Sequence, residues 1–292
     1  MSNWLVPVTL SIWAVFRIVG YVTEPTLSDA EIHRVRGEQS RTRLSAGLPQ
    51  SVRVATWNIQ RGVKFDNILA ALRSMEADVI FLQEVDLFCR RSGYRDVARD
   101  LAHALDVNWV AAGEFQEVGE GRTDGAATTG QAVLSKYPIT DAATIVFAEQ
   151  VRVRWRLDPA QPRRGGRLAL RVRSAGLLGY NIHIESRGND GLRRDQLNEL
   201  LENEKEQGAR DPTVIAGDFN NPPAARSRMF DGLKPSGFVD ALGSPETRRT
   251  TVNRIHGIDW IFVKNLEPTA GQVITVEDAS DHYPLVATVR LR

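Results

Sequence analysis

The sequence has almost no cysteine: one residue, Cys89, in 292. A lone thiol cannot close an intrachain disulfide, so the fold must rest on packing and hydrogen bonds and needs no oxidising compartment. Charge of one sign is also missing. Lys and Arg number 37 against 36 Asp and Glu, a formal net charge of +1. Sequence-independent binding of nucleic acid leans on a basic surplus, and the chain as a whole shows none, which leaves only local patches for such a role. No internal repeat is visible, and no apolar run reaches the ~18–20 residues of a membrane-spanning helix. What remains is the composition of an ordinary globular protein, 42% hydrophobic and 25% charged, with ample length for a buried core.

The longest apolar stretch, Trp4–Phe16, is broken by Pro7, Thr9 and Ser11 and stopped by Arg17. It has no basic residue before it and no small-residue cleavage site after it, which makes it a poor signal peptide. Its apolar residues would lie all round a helix, unlike an amphipathic surface helix. Two readings of residues 1–22 stand: a hydrophobic helix packed on the domain, or a membrane tether through residues 4–22 with Arg17 reaching back to the headgroups. In the second, Arg34, Arg36, Arg41 and Arg43 would keep the rest of the chain on the cytoplasmic side. The expected location is therefore cytoplasmic, membrane-associated if the segment inserts. Residues 23–50 are polar and read as a linker or a loosely docked helix.

From Ser51 short apolar runs recur between turn residues. Val52–Ile59, Val79–Val85, Trp109–Phe115, Ala132–Ser135, Thr144–Phe147, Arg167–Arg173, Tyr180–Ile184, Val214–Ala216, Ile258–Val263, Val273–Val276 and Leu285–Leu291 read as strands. Helical spacing is rarer: Asn67–Met75, with Asp66 as its expected cap, Asp96–Leu105 and Asp190–Gln207. The glycine- and threonine-rich Gly119–Gly130 lacks periodicity and reads as a loop. Many strands and few helices imply sheet packed on sheet with helices outside.

Several of these strands end in polar residues that a buried sheet does not want: Asn58, Gln83-Glu84, His183 between Ile182 and Ile184, Asp218 with Asn220, Asp259, and Asp281-His282. Any one of them has an ordinary explanation as a turn former, a solvated end or a hydrogen-bonded core residue. Together they place carboxylates, imidazoles and amides at the edges of core strands, a costly burial unless the groups satisfy one another or bind an ion. Hard oxygen donors without cysteine favour Mg²⁺, Mn²⁺ or Ca²⁺, and a divalent cation beside histidines suits attack on phosphorus.

TWNIQRG (Thr56–Gly62), QEVD (Gln83–Asp86), NIH (Asn181–His183), GDFN (Gly217–Asn220), GIDWIFV (Gly257–Val263) and SDHYPL (Ser280–Leu285) follow one another in this chain. In kind and order they resemble the endonuclease/exonuclease/phosphatase superfamily, as does GQAVLSKYPI (Gly130–Ile139), over residues 51–292. The resemblance implies a four-layer α/β sandwich, two mixed β-sheets face to face with helices outside. It also implies metal-dependent hydrolysis of phosphoesters with Mg²⁺ or Mn²⁺. Glu84 would be the main metal ligand, with Asn58 and Asp281. Asp218 would activate water, Asn220 would hold water and phosphate, and His282, oriented by Asp259, would contact a phosphate oxygen opposite His183. Arg61, Arg91 and Arg167 are expected substrate contacts, since guanidinium matches phosphate geometry. The substrate stays open among small phosphodiesters, nucleotides, lipid headgroups and nucleic acid, and the protein is expected to act as a monomer. A DNA-acting endonuclease or exonuclease is the alternative within the enzyme class. A catalytically silent binding module that kept the fold is the alternative outside it.

Overall fold

The computed structural model describes residues 24–40, 49–151, 162–221, 226–243, 248–253 and 257–291. The apolar segment 1–22 and its membrane question lie outside these residues. Among the described residues no helix is long and apolar enough to cross a membrane.

The strands form two mixed sheets. The first has the order β1 (Arg36–Glu38), β4 (Asn108–Glu117), β5 (Thr128–Ser135), β3 (Val79–Leu87), β2 (Ser51–Asn58), β14 (Leu285–Leu291) and β13 (Leu266–Val273), with β7 (Arg163–Gly165) also pairing with β4. The second runs β11 (Val239–Asp240), β12 (Asp259–Lys264), β10 (Thr213–Asp218), β9 (Leu177–His183), β8 (Leu168–Ser174) and β6 (Ile139–Val146). Each contains one parallel pair, β2–β3 and β9–β10, beside antiparallel neighbours. Inward side chains of both sheets make one core, including Val54, Phe81, Val133, Leu170, Val214 and Ile261. Outside the first sheet, α2 (Phe65–Met75) and α3 (Val97–Leu105) cover Trp57, Ile80 and Leu82. Outside the second, α4 (Asp190–Gly208) and α5 (Arg226–Phe230) cover Tyr180, Ile182 and Phe262. This is the expected four-layer sandwich.

Period-two alternation explains how one strand serves two layers. In β2, Val52 and Val54 join the core between the sheets while Ala55 and Trp57 face the helices. Phe81, fully buried, sits over Gly179 of the opposite sheet, where a β-carbon would lie 2.8 Å from its ring. Truncating a phenylalanine so enclosed costs about 3–5 kcal/mol.

Three expectations need correction. Residues 29–38, read as part of a linker or loosely docked helix, contain α1 (Asp29–Ile32), closed by a Ser28–Glu31 capping box, and β1, which pairs with β4. The strand expected at 273–276 is instead β13, an edge strand of sequence LEPTAGQV whose exposure requires no apolar alternation. Asp66 lies inside the first turn of α2, and the cap position is Lys64.

Candidate active site

Along the inner faces the core alternation continues, but the residue type changes. Thr56 and Asn58 follow Val52 and Val54 on β2, Gln83 follows Phe81 on β3, and Gln131 precedes Val133 on β5. On the second sheet Asn181 and His183 follow Leu177 on β9, Asp218 follows Ala216 on β10, and Asp259 precedes Ile261 on β12. One end of the sandwich is thus apolar and the other polar. Buried amides stitch the change-over: Gln83 Nε2 donates to Asn181 Oδ1 at 2.6 Å and to Thr56 Oγ1 at 3.0 Å, and Asn181 Nδ2 donates to the Leu82 and Ala132 carbonyls.

Two bulges then turn glutamates toward this end. The register of β3 on β5 slips at Glu84, and that of β4 on β5 slips at Glu114, both opposite Gly130. Glu84 takes a left-handed φ of 51°, a conformation that costs a non-glycine residue about 1–2 kcal/mol. Without the slip it would share the helix-facing side with Leu82. Gly130 is required because a β-carbon there would lie 2.1 Å from the Ala112 carbonyl oxygen. Glu84 was expected to end a strand, whereas β3 runs on to Leu87.

The polar end opens into a cavity of about 450 Å³ whose walls include Asn58, Arg61, Glu84, Arg167, His183, Asp218, Asn220, Asp281 and His282. Of the residues expected from sequence, these nine share the cavity, and Asp259 lies directly behind His282. Arg91 does not. Its guanidinium is bidentate to buried Asp86, at 2.8 Å from each oxygen, and reaches Glu117 at 3.2 Å, so its donors are spent inside the wall. Arg163, Ser186, Arg187, Thr251 and Asn253 also line the cavity.

Asp218 is the hub. Its Oδ1 accepts from the Asn220 backbone N–H at 2.9 Å, and its Oδ2 from Asn58 Nδ2 at 3.3 Å, which joins the two sheets. His183 Nε2 lies 3.6 Å and His282 Nε2 3.8 Å from the same Oδ2. Burial and the Asp259 charge raise the Asp218 carboxyl to about 7, against the pull of His282 and of the Asn220 and Asn58 donors. His282 Nδ1 sits 3.1 and 3.0 Å from the two Asp259 oxygens. Burial disfavours the charged ring, but the Asp259 carboxylate, joined by Asp218 and Asp281, outweighs it and raises His282 to about 10. His183 goes the other way: burial, the Arg167 charge and His282 push it well below its usual value, so it is neutral at pH 7.

Local hydrogen bonds fix these positions. Trp57 Nε1 donates to the His282 carbonyl at 2.8 Å, Ser280 Oγ donates to the Asn58 carbonyl at 2.7 Å, and Thr250 Oγ1 accepts the Asp259 N–H at 3.2 Å. Gly217 precedes Asp218 with a φ of 151°, and a β-carbon there would lie 1.9 Å from the Ile182 carbonyl oxygen. Residue 217 can therefore only be glycine if β9 and β10 are to stay paired.

A model of the endonuclease/exonuclease/phosphatase family matches residues 55–282. The chain belongs to this family. No curated protein sequence matches it significantly. Among solved structures, an endonuclease/exonuclease/phosphatase from Beutenbergia cavernae is similar at 22% identity and a TM-score of 0.64, covering 83% of this chain and 72% of the other. The human Nocturnin catalytic domain, solved with a bound sulfate, is similar at 19% identity and 0.64, covering 83% and 94%. ANGEL2, a 2′,3′-cyclic phosphatase, gives 18% and 0.57, covering 88% and 98%. At these identities the likeness concerns the fold.

Among the described residues of this endonuclease/exonuclease/phosphatase domain, two groups have donors for a cation. Asp218, Asp259 and His282 bring ligand atoms within 4.8 Å of one another. A cation there would have to displace the proton that His282 keeps up to about pH 10 against Asp259. Glu84, Asn58 and Asp281 offer hard oxygens on the cavity wall. Among the described residues the Glu84 carboxylate makes no hydrogen bond, and its cationic neighbour is Arg61 at 3.4 Å. A strained, hydrogen-bond-free carboxylate beside two further oxygen donors fits a hard divalent cation.

Proposed function

We propose that the protein is a divalent-metal-dependent hydrolase of phosphoester bonds. The observation that carries this reading is the convergence of Glu84, Asp218, Asn220 and the His282–Asp259 pair on one cavity. Asp218, poised near neutrality, takes a proton from the attacking water. The Asn220 N–H and Asn58 Nδ2 fix the orientation of its carboxylate. His282, charged through Asp259, donates to a non-bridging phosphate oxygen, where negative charge accumulates. His183, neutral, keeps a ring nitrogen to hydrogen-bond a phosphate oxygen without adding charge. Glu84, with Asn58 and Asp281, would hold Mg²⁺ or Mn²⁺, which offsets phosphate charge when bound.

The test is hydrolysis of bis(p-nitrophenyl) phosphate with Mg²⁺, Mn²⁺ or EDTA, followed by a panel of plasmid and abasic DNA, RNA, nucleotides, sphingomyelin and inositol phosphates. Cation-dependent turnover that is lost in Asp218→Asn supports the proposal. No turnover of any member with either cation overturns it in favour of a binding module.

A further inference from the structure

Of the four arginines that line the cavity, Arg61, Arg163 and Arg167 stand against β4. Arg61 follows β2, Arg163 lies on β7, and Arg167 precedes β8. All are fastened from behind by buried carboxylates of β4. Arg167 Nη1 lies 3.0 Å from Glu114 Oε2, and Arg163 Nε and Arg61 Nη1 lie 3.2 and 3.5 Å from Glu117 Oε1. The Phe115 ring between those glutamates is 5.3 Å from the guanidinium carbon of both Arg163 and Arg167. Gln131 Nε2, at 3.1 Å, steadies Glu114 in turn. Arg167 is 5% exposed, yet among the described residues its Nε meets no hydrogen-bond acceptor.

This wall does not coincide with the Asp218 hub. His183 stands between them, with Nε2 3.6 Å from Asp218 and Nδ1 3.7 Å from Glu114 Oε2, the oxygen that binds Arg167. Arg167 thus begins one imidazole beyond the Asp218 hub, and Arg61, 3.4 Å from Glu84, reaches the edge of the cation site. Three guanidiniums crowded in a low-dielectric wall repel one another, and an anion between them relieves that repulsion. Their fixed orientation means that little ordering is lost when it binds.

We propose that Arg61, Arg163 and Arg167 form a second anion subsite, so that the preferred substrate carries a second phosphate group beside the scissile phosphoester. This rests on the phosphoesterase reading for the identity of the first phosphate. The chemistry is shared by a diphosphate and by a nucleic-acid strand with a terminal phosphate, which differ in the spacing of the two groups.

The experiment is calorimetry in EDTA, so that no turnover is needed and loss of binding is separable from loss of catalysis. One pair of probes is AMP and ADP, and the other is a dinucleotide with and without a 5′-phosphate. The two-phosphate member of at least one pair should bind about tenfold tighter or more, as charge-assisted hydrogen bonds to guanidinium predict. Which pair shows the preference identifies the spacing. Arg163→Ala and Arg61→Ala should each reduce it, and Arg163→Lys should restore only part, since ammonium lacks the fork. Thermal unfolding checks that each variant is folded, and Arg61→Ala serves if Arg163→Ala is not. Equal affinity within both pairs, or a preference unchanged in a folded variant, overturns the subsite. Turnover of simple diesters together with equal affinities would overturn the subsite and leave the phosphoesterase reading standing.

Discussion

Replacing Asp259 by Asn keeps the shape beside His282 and removes the charge. In the folded protein His282 rises from 6.5 to about 10, a preference for the charged ring of about 5 kcal/mol at 1.36 kcal/mol per pH unit. Asp259 is the largest cause acting upward, so in the variant burial gains the upper hand and the ring falls toward or below its ordinary value. The consequence for stability has a definite sign. Below pH 6.5 the ring is charged both folded and unfolded, and the pair contributes fully. Between 6.5 and about 10 the unfolded ring has lost its proton while the folded ring keeps it, so stability falls as pH rises. From pH 7.5 to 9.5, above the titration of Asp218, this loss should be on the order of 2 kcal/mol in the parent protein and well under half of that in Asp259→Asn. Urea unfolding of the metal-free proteins at the two pH values measures it. Kinetics give the second readout. At pH 7.5 kcat should fall on the order of 10²-fold with a much smaller change in KM. The double variant with His282→Ala should be no slower than His282→Ala alone. Equal pH slopes in the two proteins, or single losses that multiply independently, would refute the pairing.

Glu84→Ala should abolish binding of Mn²⁺ by calorimetry. Unchanged affinity would move the ion to Asp218, Asp259 and His282. Asp218→Asn should lower kcat on a phosphodiester by about 10²–10⁴-fold while leaving the urea midpoint near that of the parent, and a similar kcat would show that Asp218 is not the base. Gly217→Ala should cost about 3 kcal/mol or more, from the left-handed backbone and the clash with the Ile182 carbonyl together, as read by chemical unfolding. A loss within 0.5 kcal/mol would mean that β9 and β10 separate without penalty.

The sequence reveals those parts of the molecule whose physics is local. Apolar runs identify β2, β9, β10 and β14 because their side chains enter a core on both sides of the sheet, and their last inward positions, Asn58, His183 and Asp218, stand out as polar residues where apolar ones belong. The motif order brings in Glu84, Asp259, Asp281 and His282. Three features stay hidden for stated reasons. An edge strand such as β13 carries no alternation because neither face is fully covered. Short β1 and β7 gain their order from β4, not from their own residues. Arg91 and Arg167 look alike in sequence. Only the fold separates them, by giving Arg91 the Asp86 carboxylate and leaving Arg167 on the cavity wall. Glu114 and Glu117 carried a faint signal: acidic residues within or beside the apolar run Trp109–Phe115, which an ordinary strand would not bury without partners.

The place of β14 in the first sheet sets the order in which the molecule can be assembled. It lies between β2 and β13, although every other described strand precedes it in the chain. During synthesis β2 therefore keeps a bare hydrogen-bonding edge until residues 285–291 have left the ribosome, and such an edge invites wrong partners. The residues just before β14 deliver Asp281 and His282. A nascent chain can bury Phe81 and pair β3 with β5 early, but it cannot complete its cavity before residues 281 and 282 have been made. Any chaperone requirement should track that exposed β2 edge, and a chain stalled before residue 281 should be both aggregation-prone and inert.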